Sequence, residues 1–134
     1  MSEMEPRDVI AGALEILADE DTWTKHTESR ARLETDEWAV REQSCLWGAF
    51  KRAVNPNFYR GYDAFGTEEL IRVANLSCAA AALVGKVIGE QFADRVDHYF
   101  PDEDQDRIIP FNDHAQTVHS EVIAVLEKTL ANEQ

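Results

Sequence analysis

The longest regular pattern in the chain lies in its middle, where apolar residues recur at steps of three and four. These positions are Leu70, Val73, Leu76, Ala80, Leu83 and Val87. The spacing predicts one face of an α-helix, with Thr67 as its N-cap. A strip of small residues follows one flank of the same helix at four-residue steps: Ser77, Ala81, Gly85 and Gly89. Because such a strip permits close approach, we expect this helix at the central crossing, and the strip also suits a homo-oligomer interface.

Three further segments carry apolar residues at helical spacing, and we predict a helix for each. They are residues 6–19, about 37–54, and a last stretch from Ala115 to Leu130. The central helix is expected to run towards Pro101, with a break near Gly85 or Gly89. Before the last helix, Asp113 and Gln116 have the spacing of a capping box, which makes Asn112 a turn residue and Asp113 an N-cap.

The remaining segments show no helical period. They are an irregular segment over 22–36, an aromatic loop over 55–66 and an acidic loop over 101–112. The chain is therefore predicted to be a single helical domain over residues 1–134, folded as an all-α compact bundle of four or five helices.

Acidic residues dominate the charge of the protein. Twenty-six Asp and Glu stand against 13 Lys and Arg, which leaves a formal net charge of −13. Six of the acids lie between residues 94 and 106, with Arg95 as the one base among them: Asp94, Asp97, Asp102, Glu103, Asp104 and Asp106. This balance argues against direct nucleic-acid binding, which depends on clustered bases, but it permits an acidic mimic of nucleic acid.

The chain begins without a basic and apolar leader, and its longest uncharged run, Val73 to Gly85, has 13 residues. A membrane-spanning helix needs about 20. Cys45 and Cys78 lie in apolar surroundings and form no C-x-x-C pair, so we expect buried, reduced thiols. These features predict a cytoplasmic protein that binds no membrane.

The acidic segment has a partial resemblance to a calcium loop. Four carboxylates fall near the ligand spacing of an EF-hand: Asp102, Asp104, Asp106 and Asp113. Arg107 stands where that loop needs glycine, so we favour a solvated acidic loop. Glu90, Asp94, Asp97 and His98 also share a helical face if the central helix continues, so a metal-binding protein or a hydrolase using residues 90–113 stays an alternative.

We find no catalytic residues by sequence motif. Neither thiol lies beside a basic group that would lower its pKa, and there is no nucleophile elbow, phosphate loop or H-E-x-x-H. The lack of a catalytic motif favours a non-enzymatic protein, and no cofactor is predicted.

The aromatic loop contains Phe58, Tyr59, Arg60, Tyr62 and Phe65. Aromatic and arginine side chains are frequent anchors of protein interfaces, so this loop is a candidate partner-binding patch. So many aromatic residues in one short loop are too apolar for all of them to remain in water, and we favour a lid over the helix ends.

Two motifs resemble a known family. Residues 45–50 read C-L-W-G-A-F, and residues 108–113 read I-I-P-F-N-D, followed by Thr117, Glu121 and Val122. They are similar to an uncharacterised family of small helical proteins from actinobacteria and their phages, a domain of unknown function. Members carry a C-x-x-G-A-L helix and a W-N-D segment before a T-x-x-E-V helix. Here Phe50 and Phe111 replace Leu and Trp, and one extra residue separates Thr117 from Glu121 and Val122. The resemblance implies an all-α fold and this origin, but no activity.

These observations favour a non-enzymatic interaction or regulatory protein. Its acidic surface would engage a basic protein partner, for instance a host protein, through Asp94, Asp97 and the carboxylates of 102–106. The nucleic-acid mimic and the metal-dependent protein are the two alternatives.

Overall fold

The computed structural model describes residues 4–26, 30–33, 40–59, 65–96 and 103–133. Within these ranges the chain forms six α-helices. They are α1 (Pro6–Ile16), α2 (Leu46–Val54), α3 (Thr67–Gln91), α4 (Ala93–Val96), α5 (Ile108–Asp113) and α6 (His119–Asn132). All six contribute to one hydrophobic core. The predicted all-α compact bundle is confirmed.

A short two-stranded ribbon accompanies the helices. Strands β1 (Arg30–Leu33) and β2 (Val40–Gln43) pair antiparallel, with Arg30 opposite Gln43. The prediction of an irregular segment throughout 22–36 was wrong for β1, and the prediction of a helix from about residue 37 was wrong for β2. Between Trp38 and Cys45 the only apolar residues are Ala39 and Val40, so the helical period is not sustained over this stretch.

Helix α2 begins later than predicted because Cys45 caps it. The Cys45 backbone is extended, with φ −78° and ψ 176°, and its Sγ accepts a hydrogen bond from the Gly48 N–H at 3.4 Å. A residue with extended dihedrals and a side-chain acceptor marks a helix start.

Helix α3 lies at the centre of the bundle. Its inward face includes Val73, Ala80, Val84 and Ile88, each at most 1% exposed. Helix α3 is long and apolar enough to cross a membrane by length and composition, and 44% of its most apolar window is buried in the protein. Core helices of water-soluble proteins share these properties, so this is weak evidence for a span.

The chain after α3 differs from the prediction. The break falls at Phe92 instead of Gly85 or Gly89, and α4 follows it. The prediction of an acidic loop over 101–112 was wrong from Asp104 onwards, where a 3-10 helix (Asp104–Arg107), here called the acidic 3-10 helix, leads directly into α5. Asp113 ends α5 and does not cap α6, which starts only at His119.

Candidate functional site

The acidic 3-10 helix lies against the small-residue strip of α3. Asp104 Oδ1 accepts a hydrogen bond from Arg107 Nη1 at 2.5 Å, and the same nitrogen donates to the Gly85 carbonyl at 3.3 Å. A Cβ at Gly85 would overlap the Asp104 carbonyl oxygen, so a side chain there would push the two elements apart. Close approach at the strip was correctly expected, but at Gly85 the partner is a 3-10 helix.

The small-residue strip is used inside the chain. Ser77 and Ala81 are fully buried, Gly85 is buried, and the guanidinium of Arg107 covers Gly89. The composition of the strip had suggested a homo-oligomer interface. Because the strip packs inside the chain, it is not a free surface for a second copy.

The carboxylates expected to bind a partner have different surroundings. Glu103 and Asp106 are exposed, and Asp106 Oδ2 accepts a hydrogen bond from the Glu103 N–H at 3.3 Å, which holds the start of the acidic 3-10 helix. Asp94 is exposed on α4. Asp97 and Asp102 lie outside the described residues.

The predicted calcium-loop carboxylates have separate partners. Asp104 binds Arg107, while Asp113 Oδ1 accepts a hydrogen bond from the His26 N–H at 2.7 Å. His26 has a left-handed backbone, with φ 67°. Among the described residues, no group of three or more His, Cys, Asp or Glu side chains has the arrangement of a metal site.

The metal site considered for residues 90–98 required one continuous helical face. Glu90 and Asp94 are exposed, but the helix breaks at Phe92 between them. Asp97 and His98 lie outside the described residues.

Asn112 is the polar centre of the fold and was wrongly predicted to be a turn residue. It is 1% exposed, and its Oδ1 accepts hydrogen bonds from Trp23 Nε1 at 2.7 Å and from the Leu46 N–H at 3.0 Å. Its Nδ2 donates to the Thr24 carbonyl at 3.1 Å and to Asp113 Oδ1 at 2.9 Å. One amide thus joins the loop after α1, the start of α2 and the end of α5.

Arg95 joins α4 to α6. Its Nη1 donates to Glu121 Oε1 at 2.6 Å and to the buried Thr117 hydroxyl at 3.2 Å, and its Nη2 donates to Glu121 Oε2 at 3.0 Å. These hydrogen bonds lower the pKa of the Glu121 carboxyl and raise that of Arg95. Glu121 Oε1 also accepts from the Val118 N–H at 3.1 Å, which holds the first turn of α6.

The described part of the aromatic loop folds onto α2. Phe58 packs against the core, and its ring lies 5.0 Å from Tyr59 and 6.1 Å from Phe65. The Lys51 ammonium lies over Phe58 and the Arg52 guanidinium over Tyr59. These contacts favour a lid at Phe58 and Tyr59. Arg60 and Tyr62 lie outside the described residues.

An open groove of about 270 Å³ lies between α2, α3 and α5, and we call it the α2–α3–α5 groove. Its lining residues are Trp47, Cys78, Gln105, Asp106, Ile108 and Ile109. Ile108 is buried, whereas Ile109 is 52% exposed. The sequence contained no specific signal for this groove, because adjacent apolar residues on a helix are often both buried, as Val9 and Ile10 of α1 are.

Comparison with known proteins identifies the family of this chain. The model of a family of unknown function, DUF6197, matches residues 1–132. The chain belongs to this family. No curated protein and no solved structure matches it.

In this DUF6197 member, the motifs noted in the sequence meet in space. Leu46 of the C-L-W-G motif donates its N–H to Asn112 of the F-N-D motif, and Cys45 and Gly48 form the cap of α2. Thr117 and Glu121 both bind Arg95. These residues hold helices together within the protein. We therefore place the candidate binding surface on the acidic 3-10 helix and the α2–α3–α5 groove, which are exposed.

Proposed function

We propose that this protein is a non-enzymatic interaction or regulatory protein that binds a basic protein partner through the acidic 3-10 helix. The observation that carries the proposal is the orientation of charge on this element. Glu103 and Asp106 are exposed, whereas its base, Arg107, is turned to Asp104 and the Gly85 carbonyl. The element therefore presents negative charge outwards, in a chain with a net charge of −13.

The same proposal includes the source organism and the cellular compartment of the protein. The partial match to actinobacterial and phage motifs supports an actinobacterial or actinophage source, and the acidic composition and free thiols suit the cytoplasm. The partner is then a basic protein of the host cell.

Affinity capture from an actinobacterial lysate tests the proposal with two charge-reversed variants. One carries Glu103→Lys and Asp106→Lys; the control carries Glu127→Lys and Glu133→Lys, at exposed positions on and just after α6. Both pairs change the net charge equally. We expect capture by the wild type and the control, loss in the first variant, and weakening as salt shortens the Debye length below ~8 Å.

Equal capture by all three proteins would contradict the proposal, as would capture that is insensitive to salt. Circular dichroism of each variant checks that its helices remain. Asp104 is left unchanged because its carboxylate binds Arg107 beside α3, so its reversal would disturb the fold as well as the surface.

A further inference from the structure

We infer that the α2–α3–α5 groove receives an apolar side chain carried by a lysine- or arginine-rich segment of the partner. This inference rests on the proposed function and adds the place and chemistry of the contact. The groove and the acidic 3-10 helix share Asp106. The apolar side chain that enters the groove should therefore lie next to the basic residues in the partner's segment.

The groove has the composition of an interface centre. Ile108 forms its buried floor, Trp47 and Cys78 are half-buried on its walls, and Ile109 is 52% exposed at its edge. Apolar centres with polar borders are typical of protein interfaces, and aromatic residues are frequent among the groups that dominate binding.

The border of the groove is polar and negatively charged. Gln105 and Asp106 line it, and Glu103, the residue that precedes the acidic 3-10 helix, is exposed. A basic segment complements this border. A second copy of the chain is disfavoured, because two molecules of net charge −13 repel each other.

The volume of the groove indicates what enters it. About 270 Å³ is slightly below the ~300–1,000 Å³ of small-molecule sites, so a single side chain is a better occupant than a whole ligand. A cavity of about 340 Å³ lies between α1 and α2, but buried Arg52 lines it. Glu15 lines it as well, so this cavity offers no net negative charge to attract a basic segment.

The probe is a short fluorescent peptide rich in lysine and arginine with one central leucine, compared with the same peptide carrying serine in place of leucine. The protein variants are Ile109→Ser and the control Ile71→Ser. The two isoleucines are 52% and 53% exposed, and Ile71 lies outside the groove lining. Fluorescence anisotropy gives the affinities, and thermal melting checks that both variants fold.

We expect the leucine peptide to bind, and the serine peptide and the Ile109→Ser variant each to weaken binding about tenfold, as the loss of one buried aliphatic contact does. Ile71→Ser should bind like the wild type. Maleimide modification of Cys78, which lines the groove, should slow when the leucine peptide is bound.

The outcomes separate the two proposals. One outcome is binding that weakens with salt but stays the same when leucine or Ile109 is replaced, with unchanged Cys78 labelling. That result overturns the proposal for the groove and leaves the proposal for the acidic surface. If binding depends on the leucine but not on salt, the proposal for the groove stands and the proposal of a basic partner is overturned. The groove proposal is overturned if neither peptide binds, and it is overturned if the protein is a homodimer that Ile109→Ser dissociates.

Discussion

Arg95 and Glu121 form a two-point ion pair between α4 and α6, with N–O distances of 2.6 and 3.0 Å. Their side chains are 14% and 25% exposed. Bidentate, partly buried pairs of this kind are stronger than exposed ones, since charge-assisted hydrogen bonds replace contacts with water. The pair connects α4, the short helix after the break at Phe92, to the last helix.

Glu121→Gln is expected to lower the free energy of unfolding by about 1 to 3 kcal/mol at neutral pH, because Arg95 loses its charged partner. The pKa of Glu121 is lowered from 4.5 in the folded state, chiefly by the Arg95 hydrogen bonds. Its contribution is therefore complete above pH 4.5 and is lost as the pH falls through the folded pKa. Urea unfolding at several pH values should show the two proteins converging in acid. Glu127→Gln, exposed on the same helix, is the control, and an equal loss there would contradict the prediction.

Asn112→Ala is expected to destabilise the protein by about 2 to 4 kcal/mol. The change leaves the Trp23 indole N–H and the Leu46 N–H without their acceptor. Urea unfolding followed by Trp fluorescence measures the loss. Asn75→Ala, at an exposed position of α3, should be neutral or slightly stabilising. Similar stability of Asn112→Ala and the wild type would mean that the amide does not hold these elements together.

Gly85→Ala is expected to destabilise by about 1 to 3 kcal/mol through overpacking, although alanine favours helices. The new Cβ would meet the Asp104 backbone, which cannot swing aside. At Gly89 the nearest atoms belong to the end of the Arg107 side chain, which can move, so Gly89→Ala should cost less. Thermal melting of the two variants provides the comparison, and a more stable Gly85→Ala would show that the acidic 3-10 helix is not held there.

The two thiols are expected to react at different rates. Cys45 is 5% exposed and caps α2, whereas Cys78 is half-buried on the wall of the groove. The sequence predicted that both would be protected, which the structure supports for Cys45 alone. Mass spectrometry after brief maleimide treatment should find Cys78 modified and Cys45 only after unfolding. Cys78→Ser should abolish the fast reaction, and modification of Cys45 in the native protein would refute this assignment.

The helical part of the fold was predictable because its signals are local. Pro6 marks the start of α1, Thr67 lies at the start of α3, and the apolar stripe of α6 keeps its period over several turns. The ribbon was not predictable, because β1 and β2 are stabilised by each other, the alternation of polar and apolar residues in β1 covers only four residues, and β2 has a single apolar residue, Val40.

The candidate site was predicted only in part. Exposure of Glu103 and Asp106 follows from their charge. Arg107 instead turns inward and donates to the Gly85 carbonyl, a contact between residues 22 positions apart that no local pattern predicts. Asn112 was misread for a similar reason. An Asn-Asp pair has the local signature of a turn, and only the distant Trp23 and Leu46 reveal its buried role.

The partners of Asn112 also bear on how the chain is made. Trp23 precedes it by 89 residues and Leu46 by 66, so these hydrogen bonds close very long loops. During synthesis, the indole of Trp23 and the start of α2 emerge well before their acceptor exists. The first half of the molecule therefore forms these hydrogen bonds only after the segment that contains Asn112 has been synthesised.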